Sequence, residues 1–270
     1  MVDNSITYCV DGSVSIIRIN RAKTLNSMSG NDYIKLAELV DRADNESNTV
    51  FTLLQSSGRF FSSGADFTSI AQVSESKTGE SELKKWLDNF LSRNSYVTSV
   101  FNRHKKILIC CLNGPAVGLS AALCVLCDIV YAMNDQVYLK FPFVELGLVM
   151  EGGTSVTLPL KLGSSRTMET ILFNKNLNYD DLKGTIVTRN YDMKDTQEFN
   201  QRVIMDLKKR ADDVYLPSIL GIKKLLAANY SDKVHRANSA ETSDAMVSWV
   251  HGEPQRRFKI LKSKTRKHKI

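Results

Sequence analysis

The chain has 270 residues, of which 43% are hydrophobic and 24% are charged, a composition typical of a globular protein. This length can bury a full core, as one large domain or as one domain with a smaller helical region. The first residues contain no basic segment followed by an apolar run, so we expect no secretory signal. The most apolar run, residues 107–133, contains Asn113, Pro115 and Asp128. A membrane-spanning helix would not normally carry these residues, so we predict no membrane span.

The net charge of +7 is concentrated at the C-terminal end. Residues 253–270 contain eight Lys or Arg and one acid, whereas the first 252 residues hold 28 basic and 28 acidic side chains. A neutral body with a basic end argues against a general nucleic-acid-binding face. It is compatible with a polyphosphate ligand, a targeting signal or a solvated tail, and a solvated tail is the simplest account of the last ten residues.

Five cysteines are present. Cys9 lies near the start of the sequence, and the other four lie in apolar runs: Cys110, Cys111, Cys124 and Cys127. This usage predicts reduced core residues. Cys124 and Cys127 have CxxC spacing, but no second pair or histidine cluster accompanies them. One turn of a buried helix therefore explains the spacing better than a metal or redox site, and we predict no metal site.

The predicted elements alternate between strands and helices over the first 133 residues. β-Branched and apolar runs predict strands, and apolar residues three or four apart predict helices. The predicted strands are 14–19, 50–54, 106–112 and 129–133, and the predicted helices are 28–43, 83–100 and 119–127. We expect residues 71–82 to form an exposed loop. Repeated strand-then-helix units imply a parallel arrangement with right-handed crossovers.

From about residue 196 onward the pattern is helical. Asp195 or Thr196 could cap the first helix of this part, and Pro217 opens the next. A third helix is predicted over residues 241–250. We therefore divide the chain into an α/β core (1–195) and a helical region with the basic tail (196–270).

Glu151 lies in a locally uncharged stretch, after Val149 and Met150 and before Gly152 and Gly153. An acid in such surroundings is costly to desolvate unless its altered proton affinity is useful. Alternatively, its carboxylate could cap a helix that begins near Gly152. In both cases a lone acid lies beside a helix start and an apolar wall, where a proton shuttle could sit.

Two glycine-containing turns could present free backbone N–H groups. Residues 113–122 form a turn that leads from a buried strand into a helix, and the N–H groups near Gly118 and Leu119 would be unpaired at that helix start. Another exposed N–H could come from Ala65, after Gly64. Two such donors converging on one oxygen form an oxyanion hole. Together with a lone acid, they meet the needs of enolate chemistry.

Three segments resemble the crotonase (enoyl-CoA hydratase/isomerase) superfamily: residues 56–67 (SSGRFFSSGADF), 113–130 (NGPAVGLSAALCVLCDIV) and 146–163 (LGLVMEGGTSVTLPLKLG). Residues 18–26 (RINRAKTLN) match its N-terminal signature, and the Pro217 helix and residues 249–258 match its C-terminal part. Within the superfamily the chain looks most like the peroxisomal Δ3,Δ2-enoyl-CoA isomerases. The resemblance implies an α/β fold, a crotonase-type spiral of ββα turns followed by a helical trimerisation region, with assembly as a homotrimer or hexamer.

The resemblance also assigns roles to single residues. Glu151 matches the catalytic glutamate, and the N–H groups of Ala65 and Leu119 match the oxyanion hole that would hold the thioester carbonyl. The positions that match CoA-binding residues are Lys23, Ser63, Gly64, Asp66 and Phe67. Asp66 could also cap the helix that follows it. The implied substrate is an acyl-CoA thioester, with CoA as part of the substrate and no separate cofactor.

The chain departs from the superfamily where hydratases carry two glutamates for water addition. Those positions hold Ala122 and, approximately, Phe143, and neither side chain can exchange a proton. A double-bond shift needs one base that removes a proton from C2 and returns it to C4, which one carboxylate can do. Glu151 is the preferred base and Glu145 the second candidate. We therefore expect conversion of 3-enoyl-CoA to 2-trans-enoyl-CoA in unsaturated fatty acid β-oxidation.

Two alternatives stay open. A 3,5-dienoyl-CoA to 2,4-dienoyl-CoA isomerase needs the same base and oxyanion hole, so the sequence separates the two activities poorly. The other alternative is a non-catalytic crotonase-fold protein that binds acyl-CoA or a protein partner. The intact Gly-Ala-Asp and Glu-Gly-Gly segments argue against it. His268, Lys269 and Ile270 resemble a peroxisomal targeting tripeptide, whose usual last residue is Leu. We expect the peroxisomal import receptor to bind it and the protein to reside in the peroxisomal matrix.

Overall fold

The computed structural model describes residues 5–75 and 79–267. Its strands are β1 (Ile6–Asp11), β2 (Val14–Ile19), β3 (Phe51–Ser56), β4 (Ile107–Leu112), β5 (Ala116–Val117), β6 (Ile129–Ala132), β7 (Tyr138–Lys140), β8 (Asn176–Asn178) and β9 (Val187–Asn190). Its α-helices are α1 (Gly30–Asp44), α2 (Phe67–Glu75), α3 (Glu82–Trp86), α4 (Ser92–Arg103), α5 (Leu119–Leu126), α6 (Thr154–Leu162), α7 (Ser164–Leu172), α8 (Tyr179–Leu182), α9 (Thr196–Asp212), α10 (Leu216–Ala227), α11 (Ser231–His251) and α12 (Glu253–Lys267). A 3-10 turn covers Ala22–Thr24, and a π-helical turn at Leu87–Leu91 joins α3 to α4. The predicted targeting tripeptide, residues 268–270, lies outside the described residues.

The larger sheet has the strand order β1-β2-β3-β4-β6-β9. β1 and β2 are antiparallel, and each later neighbour along the sheet is parallel. β3 is buried along its whole length, as expected for a parallel strand covered on both faces. The second sheet consists of three short strands in the order β5-β7-β8, with β5 parallel and β8 antiparallel to β7. These strands are interspersed along the chain with the later strands of the larger sheet. The crotonase-type spiral predicted from the sequence is confirmed.

Helices cover both faces of the larger sheet. Alternate residues of β3 point to opposite sides, so Leu54 packs with α1, α4 and α5, whereas Leu53 packs with α9 and α10. A third apolar cluster surrounds Trp86 and Trp249, whose ring centroids lie 4.5 Å apart, and it joins α2, α3, α11 and α12. This third cluster brings the C-terminal helices against the segment that follows Ala65.

The predicted strands and helices of the first 133 residues are all present, with ends shifted by up to three residues. The predicted loop over residues 71–82 is wrong at its start, because α2 extends through residue 75. The segment is mostly polar, but one face of α2 is apolar. On this face Ile70 is buried in the third cluster and Val73 packs against it. The helix predicted over residues 241–250 is the end of α11, which begins ten residues earlier.

Asp195 caps α9 as predicted, because its carboxylate accepts the N–H of Glu198 at 2.9 Å. The side chains of Phe199 and Val203 are fully buried against the larger sheet. The helical region thus begins by completing the core of the α/β part. The division of the chain at residue 195 stays a prediction.

The cysteine prediction is confirmed for the four core residues, which are buried and free, whereas Cys9 is exposed. The sulfur atoms of Cys110 and Cys124 lie 3.6 Å apart. Within residues 5–75 and 79–267, no cluster of three or more His, Cys, Asp or Glu side chains could hold a metal ion. In the same part of the chain, no helix is long and apolar enough to cross a membrane.

Candidate active site

Ala65 lies in an extended segment that forms a single parallel bridge with Met28. Met28 donates its N–H to the carbonyl of Gly64, and Asp66 donates its N–H to the carbonyl of Met28, both at 2.9 Å. These bonds use the residues on either side of Ala65, so the N–H of Ala65 points away from Met28. Ala65 lines a cleft of about 270 Å³, and its N–H is a donor available to a ligand there.

Gly64 allows this segment to lie against the backbone that leads into α5. Its φ is +86°, and a Cβ atom at this position would lie 2.8 Å from the carbonyl oxygen of Val117. Ser62 accepts the N–H of Val117 on its carbonyl at 3.0 Å. The segment that carries Ala65 and the start of α5 therefore run side by side.

Leu119 is the first residue of α5, and the first N–H groups of a helix have no acceptor within it. Gly118 precedes it with φ +60° and ψ −133°, a conformation that is essentially restricted to glycine. This glycine turns the chain sharply between β5 and α5. The two N–H groups predicted from the sequence, those of Ala65 and Leu119, thus lie on adjacent segments.

The turn that follows Glu151 packs directly on α5. Gly152 has φ +71°, and a Cβ atom added there would lie 2.5 Å from Cβ of Ala122 and 3.3 Å from Cδ1 of Leu119. Only glycine permits this approach. Glu151 precedes the residue that contacts α5 directly. The first N–H of that helix, from Leu119, is a predicted oxyanion donor.

The carboxyl group of Glu151 lies in a narrow crevice lined by Leu148, Trp249 and Glu241. The residue as a whole is partly exposed, but its carboxyl group is enclosed. Asn94 of α4 donates an N–H to its Oε2 at 2.9 Å. Burial raises the pKa of Glu151 to about 7, with a smaller increase from the charge of Glu241, whereas the Asn94 hydrogen bond acts in the opposite direction. A pKa near neutrality allows one group to act as both base and acid.

Arg93 lies between the cleft of Ala65 and the crevice of Glu151. Its guanidinium donates to Oδ1 of Asn94, at 3.2 Å from Nε and 3.1 Å from Nη2, and to the carbonyl of Asn89 at 2.8 Å. It also lies 4.8 Å above the ring of Phe90. Arg93 lines the cleft and Asn94 the crevice. Arg93 therefore orients the amide that holds Glu151.

Sequence reasoning missed Arg93 and Asn94, although a signal was present. Asn94 shares one face of α4 with Val97, Thr98 and Phe101, all of which are buried. A polar residue on such an apolar face requires a buried partner. That observation alone would have marked Asn94 as a candidate site residue.

The alternative in which Glu151 caps a helix is wrong. α6 begins at Thr154, and Gly153 at its N-cap makes no side-chain cap. Glu241 instead supplies the carboxylate at this helix start, where it accepts the N–H groups of Gly153 at 2.7 Å and Ser155 at 2.8 Å. The carboxylate of Glu151 therefore takes no part in capping α6.

The five positions matched to CoA binding lie on two neighbouring turns. Ser63, Gly64, Asp66 and Phe67 surround Ala65, and Lys23 is exposed in the 3-10 turn, which packs against Gly58 through Ala22. Asp66 lines the cleft and, as predicted, caps α2 by accepting the N–H of Thr68 at 2.9 Å. Phe67 is 43% exposed, with its ring centroid 5.0 Å from that of Phe258 in α12.

Glu145, the second candidate acid, faces a different part of the molecule. Its carboxylate accepts an N–H of Asn174 and lies 3.9 Å from the amine of Lys140. Ala122 and Phe143, which the resemblance matches, the second approximately, to the glutamates of hydratases, are both buried. Of these sequence candidates, Glu151 is the acid that the structure places beside the start of α5.

Comparison with known proteins gives a match between residues 10–216 and the family model described as enoyl-CoA hydratase/isomerase. The "3,2-trans-enoyl-CoA isomerase" of Saccharomyces cerevisiae is 48% identical over 99% of this chain and 98% of its own length. The chain belongs to the enoyl-CoA hydratase/isomerase family. A second family member from the same yeast, "Delta(3,5)-Delta(2,4)-dienoyl-CoA isomerase", is 41% identical over the full length of both chains.

Solved structures of the enoyl-CoA hydratase/isomerase family share the fold. The crystal structure of enoyl-CoA hydratase from Bacillus halodurans superposes with a TM-score of 0.82 over 95% of this chain and 99% of that chain, at 19% identity. At this identity the likeness supports the fold alone. The activity has to be argued from the family members with higher identity and from the site.

Proposed function

We propose that this protein is a Δ3,Δ2-enoyl-CoA isomerase, which converts 3-enoyl-CoA esters to 2-trans-enoyl-CoA in the β-oxidation of unsaturated fatty acids. One observation carries the proposal: the enclosed carboxyl group of Glu151, with a pKa of about 7, beside the helix that begins at Leu119. The 48% identity with the yeast isomerase supports the same assignment.

In the proposed mechanism, the N–H groups of Ala65 and Leu119 bind the thioester carbonyl oxygen and form the oxyanion hole. Glu151 removes a proton from C2, and the negative charge that develops on the oxygen is stabilised by these two donors. The same carboxylic acid then protonates C4 of the dienolate, which leaves the double bond between C2 and C3. Each proton transfer by a positioned carboxylate contributes about 10²- to 10⁴-fold to the rate.

Substrate binding is proposed to involve the loop around Ala65. Ser63, Gly64, Asp66, Phe67 and the nearby Lys23 are proposed to contact CoA, which is part of the substrate. We propose that catalysis needs no further cofactor. Activity that survives exhaustive dialysis against a chelator would support this, and a loss restored by adding back a metal ion would contradict it.

A dienoyl-CoA isomerase is the second candidate, because a relative with that printed name is 41% identical over the whole chain. The two reactions share the base and the oxyanion hole. Parallel assays of purified protein with a 3-enoyl-CoA and a 3,5-dienoyl-CoA decide between them. A higher kcat/KM for the mono-unsaturated substrate is expected.

The Glu151→Gln variant tests the proposed base, because the amide keeps the shape of the side chain and cannot take the proton. We expect a loss of at least about 10³-fold in kcat, since both proton transfers depend on this group. Glu145→Gln is the matched control, with the same chemical change on a nearby acid outside the crevice, and should retain wild-type activity. Near-wild-type turnover by Glu151→Gln would refute the assignment.

We propose that the protein assembles as a homotrimer or hexamer. Apolar side chains on one part of α10 support association, because Ile222, Leu225 and Leu226 are 57%, 72% and 60% exposed in the single chain. Sedimentation equilibrium would measure the mass of the assembly.

We also propose a peroxisomal matrix location through the import receptor. This proposal rests on the resemblance of residues 268–270 to a targeting tripeptide. A fluorescent fusion that ends in these residues should co-localise with peroxisomes, and its truncation by three residues should not.

A further inference from the structure

Glu241 is a second buried acid near Glu151, and it comes from the C-terminal helical region. It lies on α11 and is 7% exposed. Its Oε2 accepts the N–H of Gly153 at 2.7 Å, and its Oε1 accepts the N–H of Ser155 at 2.8 Å. Both carboxylate oxygens are therefore used at the first turn of α6, two to four residues after the proposed catalytic acid.

We propose that Glu241 is a positioning residue for the isomerase reaction, which fixes the Gly152–Gly153 turn and supplies the negative charge that keeps Glu151 ready to accept a proton. The inference rests on the proposed function of Glu151. It gives the C-terminal helical region a direct part in the chemistry, in addition to its proposed part in assembly.

The turn is enclosed on two sides by close backbone approaches. Gly152 and Gly153 both have φ +71°. A Cβ atom on Gly152 would lie 2.5 Å from Ala122 in α5, and one on Gly153 would lie 2.8 Å from Cγ1 of Val234 in α11. Glycines with such conformational freedom need external contacts to hold one geometry. The two hydrogen bonds to Glu241 supply them.

Helix capping alone does not explain a carboxylate at this position. A neutral side chain such as Gln could accept the same two N–H groups on its amide oxygen, whereas a buried charge is costly to desolvate. The ionised form of Glu241 is favoured by its two N–H donors, although burial raises the pKa of this group overall. A long-range carboxylate at this cost indicates a second role.

That second role is electrostatic, because Glu151 and Glu241 line the same narrow crevice. The charged or titratable groups that face Glu151 are Arg93 from α4, Glu241 from α11 and Tyr33 from α1. Arg93 lowers the pKa of Glu151, and the carboxylate of Glu241 raises it. Burial raises the pKa of Tyr33 and keeps its hydroxyl neutral. Glu241 thus opposes the effect of Arg93, which would otherwise leave Glu151 a weaker base.

The experiment compares three variants of the full-length protein by a readout that does not depend on turnover. Protein labelled with ¹³C at the glutamate carboxyl carbons is titrated by NMR, and the Glu151 resonance is assigned by its absence in Glu151→Gln. Glu241→Gln removes the charge, Glu241→Asp keeps the charge and shortens the reach, and Asp244→Asn makes the same charge change at an exposed position of α11. Thermal unfolding of each variant shows whether it folds.

We expect Glu241→Gln to lower the pKa of Glu151 and to reduce kcat by about 10- to 100-fold, the cost of a misplaced catalytic group. Glu241→Asp should leave the Glu151 titration near that of the wild type while kcat falls. Asp244→Asn should change neither quantity.

An unchanged Glu151 titration in Glu241→Gln would overturn the electrostatic role, and wild-type kcat in Glu241→Asp would overturn the positioning role. If Glu241→Gln does not fold, the Asp variant carries the test through its kcat alone. Full activity of Glu151→Gln would instead refute the proposed function, and the NMR titration would still report whether Glu241 controls the ionisation of Glu151.

Discussion

Removal of the Asn94 amide should shift the pH dependence of catalysis. Asn94→Leu preserves the size of the side chain and deletes the hydrogen bond of 2.9 Å to Glu151. A hydrogen bond to a charged group is worth about 1.5–3 kcal/mol, and one pKa unit corresponds to about 1.36 kcal/mol. The pKa of Glu151, about 7 in the wild type, should therefore rise by about 1–2 units.

The rate effect follows from the fraction of ionised Glu151. At pH 7 this fraction should fall from about one half to between about one tenth and one hundredth, so kcat/KM should fall about 5- to 50-fold. Most of the loss should be recovered as the pH rises above the new pKa. Initial rates with 3-enoyl-CoA, measured across the range in which both proteins stay folded, test this profile.

Asn102→Leu provides the matched control, because Asn102 lies on the same helix and donates to the carbonyl of Ser231, away from Glu151. It should leave the pH profile unchanged even if it lowers stability. A loss of activity in Asn94→Leu that is equal at every pH would refute the reasoning. It would mean that Asn94 does not stabilise the ionised form of Glu151.

Three further results are expected. Gly152→Ala should reduce kcat more than about 100-fold and destabilise the fold by about 1–3 kcal/mol, measured by urea unfolding, because its φ of +71° and the 2.5 Å approach to Ala122 leave no room for Cβ. Glu151→Gln should increase the free energy of unfolding above pH 7 by about 3 kcal/mol. The reason is that the pKa of Glu151 is about 7 in the folded protein against an ordinary value of 4.5, so the ionised carboxylate destabilises the native state. Urea titrations should show this gain disappearing below about pH 4.5. A thiol reagent should modify Cys9 in the native protein and all five cysteines after denaturation, because the other four are buried. Rapid modification of more than one cysteine in the native protein would contradict the burial of the other four.

The segments of the site that depend on backbone conformation could be predicted from the sequence. Gly64, Gly118 and Gly152 each occur where the chain needs a positive φ or a close approach, and these glycines mark the segments that carry Ala65, Leu119 and Glu151. The short motifs are local, so their chemistry can be inferred before any tertiary contact is known. The larger sheet was predictable for the same reason, because strand and helix periodicities are local properties.

The surroundings of Glu151 were not predictable in this way. Asn94 lies 57 positions before Glu151, and Glu241 lies 88 positions after Gly153. Their roles arise only when α4 and α11 pack against the start of α6. The loop prediction for residues 71–82 was wrong at its start for a related reason, since the apolar face of α2 packs in a cluster with residues of α11 and α12 from distant parts of the chain.

The contact between Ala122 and Gly152 also explains why α5 carries no acid beside Glu151. The resemblance matches position 122 to a glutamate of hydratases, but here the backbone of Gly152 lies so close to Ala122 that a Cβ on the glycine would be 2.5 Å from Cβ of Ala122. A longer side chain at position 122 would displace the turn that holds Glu151. The packing that brings Glu151 close to α5 therefore leaves no room for an acidic side chain at position 122, which fits the proposed mechanism in which Glu151 makes both proton transfers.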